Sequence, residues 1–265
     1  MYGKETPMER VEAPKSGGMN RNTLRTWGLL FLTLGIMGRS ILQNRLLGLG
    51  QISGNQLMDL MNASDEAMIF ATIALVFQVL ETCAVPIFSF LLVDGFKHTS
   101  DFKKYILRVA GVAVVSEIPY NLAMSGKLID MSTRNPAFGL VLALIMLYFY
   151  KRYEEKSGQN TTVKLMVTLA AIIWTAMLQV DMGICIVFIC AIVWRFRHNT
   201  MFQNLSGATA SMICSLVSPF FMAAPMGFLL VHFYNGEQGA ESRLVNYLAY
   251  PVILLAVGLV GMFAL

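Results

Sequence analysis

The sequence is short of charge. Asp, Glu, Lys and Arg make up 14% of its 265 residues, against about 25% in a soluble domain. Too few charged side chains exist to cover a water-facing surface, which excludes a soluble single-domain enzyme and a disordered chain. Cysteine is scarce too: Cys83, Cys185, Cys190 and Cys214 all fall inside apolar stretches, and none forms a CxxC pair. A disulfide-stapled secreted module and a zinc site of Cys/His spacing are thereby excluded. These thiols read as small apolar fillers. His98, His198 and His232 lie far apart, so no metal set is expected. No basic run interleaved with aromatics is present, so no nucleic-acid partner is expected. No repeat of fixed period is present either, which argues against a transporter built from duplicated halves.

What the chain has in abundance is apolar sequence, 56% of the residues. A span needs roughly 20 mostly apolar residues, and no alternating barrel pattern occurs. The expectation is an all-α, polytopic transmembrane helical bundle in the lipid bilayer of the plasma (inner) membrane. About nine spans are read, at 27–47, 68–94, 104–124, 136–150, 163–179, 183–195, 204–217, 220–234 and 244–264. The sixth and seventh are short enough to be re-entrant, which would reduce the count to eight or seven. Residues 1–26 read as a flexible cytoplasmic arm before a single membrane domain, 27–265. The first apolar run is too long for a signal-peptide core, so it is expected to remain as an anchor. With the N-terminus inside, only Lys127 and Arg134 fall in outer loops, and Arg39 and Arg45 fall in the first span. The other 16 of the 20 Lys and Arg are inside, as the positive-inside rule requires.

Three ionisable residues sit where lipid should be, at a cost of several kcal/mol unless paired or wetted. Arg39 lies midway along the first span and Glu81 midway along the second, at matching depth. They read either as a buried structural ion pair or as the lining of a cavity for an anionic or carbonyl-bearing substrate. Glu117 lies in the outer half of the third span, in SEIPYN. There Pro119 removes a backbone donor and is expected to kink the helix, with Ser116, Tyr120 and Asn121 around the break. Glu117 either braces that kink or, in a dry pocket, acts as a general acid or base. Pro86 should kink the second span towards the same cavity. Asp94 stands at the inner end of that span and Asp181 in the turn QVDMG. The inner piece DGFKHTSDFKKY reads as a solvated basic loop or as a phosphate-binding surface, with His98 as its proton-transfer group.

The stretch VPIFSFLLVDGFKHTSDFKKYILRVAGVAVVSEIPYNLAMSG, Val85 to Gly126, resembles TraX family proteins. The matching positions are Pro86, Phe88, Phe90, Asp94, Gly95, Phe96, His98, Thr99, Tyr105, Arg108, Ser116, Glu117, Pro119, Asn121 and Leu122. Further matches are Asn135, Phe138, Asp181, Gly183, the YNGxxG piece at Tyr234–Gly239, and Pro251. As a set these are specific, and they cover roughly residues 80–255. The family is linked to N-terminal acetylation of pilin. The resemblance therefore implies a membrane N-acetyltransferase using acetyl-CoA, with a peptide, pilin-like or other amine as acceptor. In that reading Lys97, His98, Thr99, Lys103, Lys104 and Arg108 receive the CoA phosphates, and His98 or Glu117 takes the amine proton. Asn121 or Arg39 then stabilises the oxyanion. The first span, LLFLTLGIMGRSILQN, lacks the Asp–His pair that members of the family carry. No Arg precedes the AVP piece, and no His follows Pro251. Two other readings stay open: a transporter lined by the Arg39–Glu81 pair, and a non-catalytic member that binds a membrane partner.

Overall fold

The computed structural model describes residues 17–48, 64–155, 157–239 and 243–263. Residues 1–16 of the expected arm, and most of the 49–66 connection, lie outside them. Among the described residues the chain is helical throughout. The only strand-like pairings among the described residues are two isolated bridges, Met19 with Tyr234 and Arg134 with Val180.

The helices fall where hydropathy placed them. α1 (Arg21–Met37) runs on without a break into a π-helical stretch, Gly38–Leu46. α2 (Asp65–Thr82) and α3 (Ala84–Lys97) form one leg. The leg is interrupted at Cys83, one turn before Pro86, where the missing proline donor and its ring disturb the preceding turn. α4 is Phe102–Ser125, α5 Ala137–Arg152, α6 Gly158–Met177 and α7 Gly183–Arg195. α8 (Thr200–Ile213) is followed by two short 3₁₀ turns and by α9 (Met226–His232). α10 is Arg243–Phe263. Among the described residues three runs are long and apolar enough to cross a membrane: Asp65–Lys97, Phe102–Ser125 and Gly158–Met177.

Three expectations need correction. α4 continues through Pro119 as one helix instead of breaking there, and α10 packs along it. Residues 17–26 join the helical body instead of standing apart from it. Asn20 caps α1 by accepting from the Thr23 amide at 2.9 Å, and Met19 and Arg21 donate backbone bonds to Phe233 and Glu237. The seventh and eighth segments form one dipping hairpin. It leaves the end of the bundle that holds Lys97 and Arg195 and returns there, where the Tyr234 hydroxyl donates to Asp94 at 3.1 Å. α8 has 14 residues, about 21 Å, short of the roughly 30 Å hydrocarbon layer. Its tip rests on the α2–α3 break, where Thr82 Oγ1 donates to the Phe220 carbonyl and Cys83 Sγ to that of Ala223.

The main apolar core joins α3, α5, α7 and the hairpin around Phe90, Leu91, Phe96, Leu144 and Ile189. A second, smaller core joins α1, α4 and α10 through Ile36, Tyr120 and Leu254. The bundle thus has two distinct ends. The basic end carries Lys97, His98, Lys103 and Lys104. The opposite end carries a cavity.

Candidate functional site

The cavity has a volume of about 1040 Å³ and lies between the π-helical stretch, the end of α4, the 130–133 loop, the turn before α7 and the hairpin tip. At its base Arg39 reaches two carboxylates. Its Nη1 donates to Asp181 Oδ2 at 2.8 Å, and its Nη2 is ion-paired with Glu81. The Tyr120 hydroxyl donates to the same Asp181 oxygen at 3.0 Å. The pairing of Arg39 and Glu81 expected from equal depth is present, and it lines a cavity, so the two readings of that pair describe one object.

The local sequence explains how the charges come so close. Gly35 faces Glu81: a Cβ there would stand 2.5 Å from the carboxyl carbon. Gly38 does the same for α2, since its Cβ would meet Phe77 Cβ at 2.8 Å. The GIMG piece therefore lets α1 and α2 touch backbone to side chain, and it buries Glu81 to 4% exposure. The π-helical stretch then carries Gln43, bonded to Gln78 at 2.7 Å. It also carries Asn44, which donates to the Met124 carbonyl at 2.6 Å.

Asp181 is held by backbone under tension. Gln179 (φ 53°) and Met182 (φ 54°) flank it in the left-handed region, which costs a non-glycine residue of order 1–3 kcal/mol and clusters at functional sites. Arg134 pins this turn with two backbone bonds of 2.9 Å, donating to Gln179 and accepting from Asp181.

Glu117 is tied to that same strap. It accepts from Arg134 Nη1 at 2.9 Å and from Asn135 Nδ2 at 2.6 Å, and Asn135 also donates to the Ala113 carbonyl. Glu117 does not line the cavity. It braces the segment that fixes Asp181, which makes it a positioning residue. Glu117→Ala is expected to lower stability by about 1–3 kcal/mol through the unmatched Asn135 and Arg134 donors. It should also release the Asp181 turn, seen as faster amide exchange at residues 179–183. Unchanged exchange there would contradict this role.

The remaining candidates stand elsewhere. Asn121 is buried and lines the cavity. Lys97, His98, Lys103, Lys104 and Arg108 are exposed at or near the basic end, and Thr99 is half-buried there. From Phe102 to Glu117 is about 22 Å along α4, so His98 and Glu117 do not share a site. Asp94 gathers its own group at the basic end: Arg21 at 3.4 Å, His98 Nδ1 at 3.3 Å and Tyr234. Among the described residues no His, Cys, Asp and Glu group is placed to hold a metal ion. Sequence reasoning missed Gln43, Asn44 and Gln78. Their signal was amide side chains in apolar runs (ILQNR and VFQVLE) beside Arg39 and Glu81.

These features define a class: an all-helical membrane protein whose interior holds a charged cavity open towards one end. The chain belongs to the TraX family, since the family model described as TraX protein matches residues 56–261. It is also 28% identical, over 191 residues, to the probable fimbrial assembly protein FimC, serogroup H1, of Dichelobacter nodosus. That match covers 63% of this chain and 75% of the relative. No solved structure matches.

Proposed function

We propose that the protein is a multi-pass plasma (inner) membrane N-acetyltransferase that moves an acetyl group from acetyl-CoA to the amine of a peptide or pilin-like acceptor. The observation that carries this reading is the Arg39–Glu81–Asp181–Tyr120 cluster at the base of a cavity large enough for a chain end. Family membership and the fimbrial relative support a pilin-related role.

In this reading Asp181 takes the proton of the incoming ammonium, and the freed amine attacks the acetyl carbonyl. Asp181 is the partly exposed carboxylate of the cluster, within reach of an amine in the cavity. Arg39, whose buried Nε has no partner, and Asn121 donate to the oxyanion. As the intermediate collapses the nitrogen sheds its second proton, which neutralises the departing CoA thiolate, and Asp181 gives its own proton to water in the cavity. Asp181 replaces the acid–base pair missing from the first span, and the exposed residues Lys97, His98, Lys103, Lys104 and Arg108 attract the CoA phosphates. The core around Phe90 and Leu91 is closed between the two ends and has to open for the substrates to meet.

That same closure favours a second reading, a carrier with its cavity open to one side only. One set of assays separates the two. Purified protein with labelled acetyl-CoA and a free-amine peptide should transfer label. Asp181→Asn should slow transfer about 100-fold or more, and Lys103→Ala should raise the KM for acetyl-CoA. Transfer at the wild-type rate in Asp181→Asn would sink the mechanism. Flux of a substrate into proteoliposomes without acetyl-CoA would replace it with transport.

A further inference from the structure

The charges at the base of the cavity do not balance. Arg39 brings one positive charge to two carboxylates, and Tyr120 adds a neutral donor. Asp181 spends Oδ2 on both Arg39 and Tyr120. Its Oδ1 has no partner among the described residues, and its side chain keeps 20% of its exposure. Glu81 spends Oε1 on Arg39, while its Oε2 is buried without a partner. Nearer the mouth, Arg45 and Asp130 offset one another. The cavity lining as a whole therefore has three carboxyl groups against two guanidiniums, next to apolar core, where an uncompensated charge is costly. Its volume of about 1040 Å³ is that of an organic ligand site rather than of a bare ion.

We propose that the cavity binds the cationic end of a primary organic ammonium. Asp181 Oδ1 accepts the ammonium hydrogen bond, with Glu81 behind Arg39 as the second carboxyl group of the cluster. The left-handed residues Gln179 and Met182 hold that oxygen in place. The proposal deepens the transfer reading by giving the acceptor its charge state and its seat. Binding needs no acetyl donor, so the two can fail separately.

The test is calorimetric titration of the detergent-purified full chain with trialanine amide and, beside it, N-acetyl-trialanine amide, with no acetyl-CoA present. The wild-type protein should bind the free amine about tenfold or more tightly than its acetylated twin, the effect of one charge-assisted hydrogen bond. Asp181→Asn should erase the preference, and Asp130→Asn at the mouth should keep it. Equal affinity for the two peptides in the wild-type protein overturns the proposal, whether or not the variants fold. No binding of either at millimolar concentration, or a preference that survives Asp181→Asn, also overturns it. Free-amine binding without any acetyl transfer supports this site and overturns the transfer reading instead.

Discussion

Arg39→Gln is expected to cost the protein about 3–5 kcal/mol of stability, the penalty for removing one partner of a buried charge network. Arg39 is the only cation of its cluster, holding Asp181 at 2.8 Å and pairing with Glu81. Without it two carboxylates face each other across a half-dry cavity, with Tyr120 as the remaining donor. Glu81→Gln should be far milder, about 1 kcal/mol or less. Arg39 then keeps Asp181, and one cation remains matched to one carboxylate. The check is the unfolding temperature of both variants in the same detergent at one scan rate, because unfolding in detergent is often irreversible. Equal loss in the two variants, or none in Arg39→Gln, would show that the pair is solvated and stores little.

Gly227→Ala should cost about 3 kcal/mol, at the upper end of ordinary overpacking. Gly227 opens the second helix of the hairpin, and a Cβ there would run into the Cys83 carbonyl oxygen and stand 2.6 Å from Pro86 Cγ. Neither neighbour is the free end of a flexible chain. One is backbone and the other a ring locked in α3, so α9 has to lift away. Lifting breaks the Thr82–Phe220 and Cys83–Ala223 bonds that seat the hairpin tip at the cavity wall. Gly111→Ala is the control. It lies on α4 with nothing within 4 Å of the added methyl group, so helix propensity should make it neutral or stabilising by up to about 1 kcal/mol. Thermal unfolding that ranks the two glycines the other way would mean that the hairpin is not seated there.

Much of this arrangement was legible in the sequence, because a membrane protein writes its helices as apolar runs. The run read at 183–195 is α7, Gly183–Arg195. The Pro86 break was readable because proline disturbs a helix by a local rule. Arg39 and Glu81 were readable as neighbours because two antiparallel legs put their midpoints at one depth. Asp181 was visible as a charge in the turn QVDMG, yet its bond to Arg39 spans 142 positions and no periodicity reports such a contact. The partners of Glu117 were hidden for the same reason: Arg134 and Asn135 lie beyond a loop, and the course of a loop is not coded by hydropathy. SEIPYN signals a break at Pro119, yet α4 continues through it as one helix with α10 packed alongside.

The π-helical stretch at Gly38–Leu46 has a consequence for how the site is encoded. Its wider turns advance by about 80° per residue rather than 100°. Arg39, Gln43 and Asn44 consequently share one stripe, and all three line the cavity. Wound as an α-helix, the same residues would spread, with Asn44 about 140° around from Arg39. The site is thus written in phase as much as in composition. Deleting one residue between 40 and 42 would put the two amides three and four positions after Arg39, so an ordinary helix would keep the stripe; the wider winding is what absorbs the additional residue.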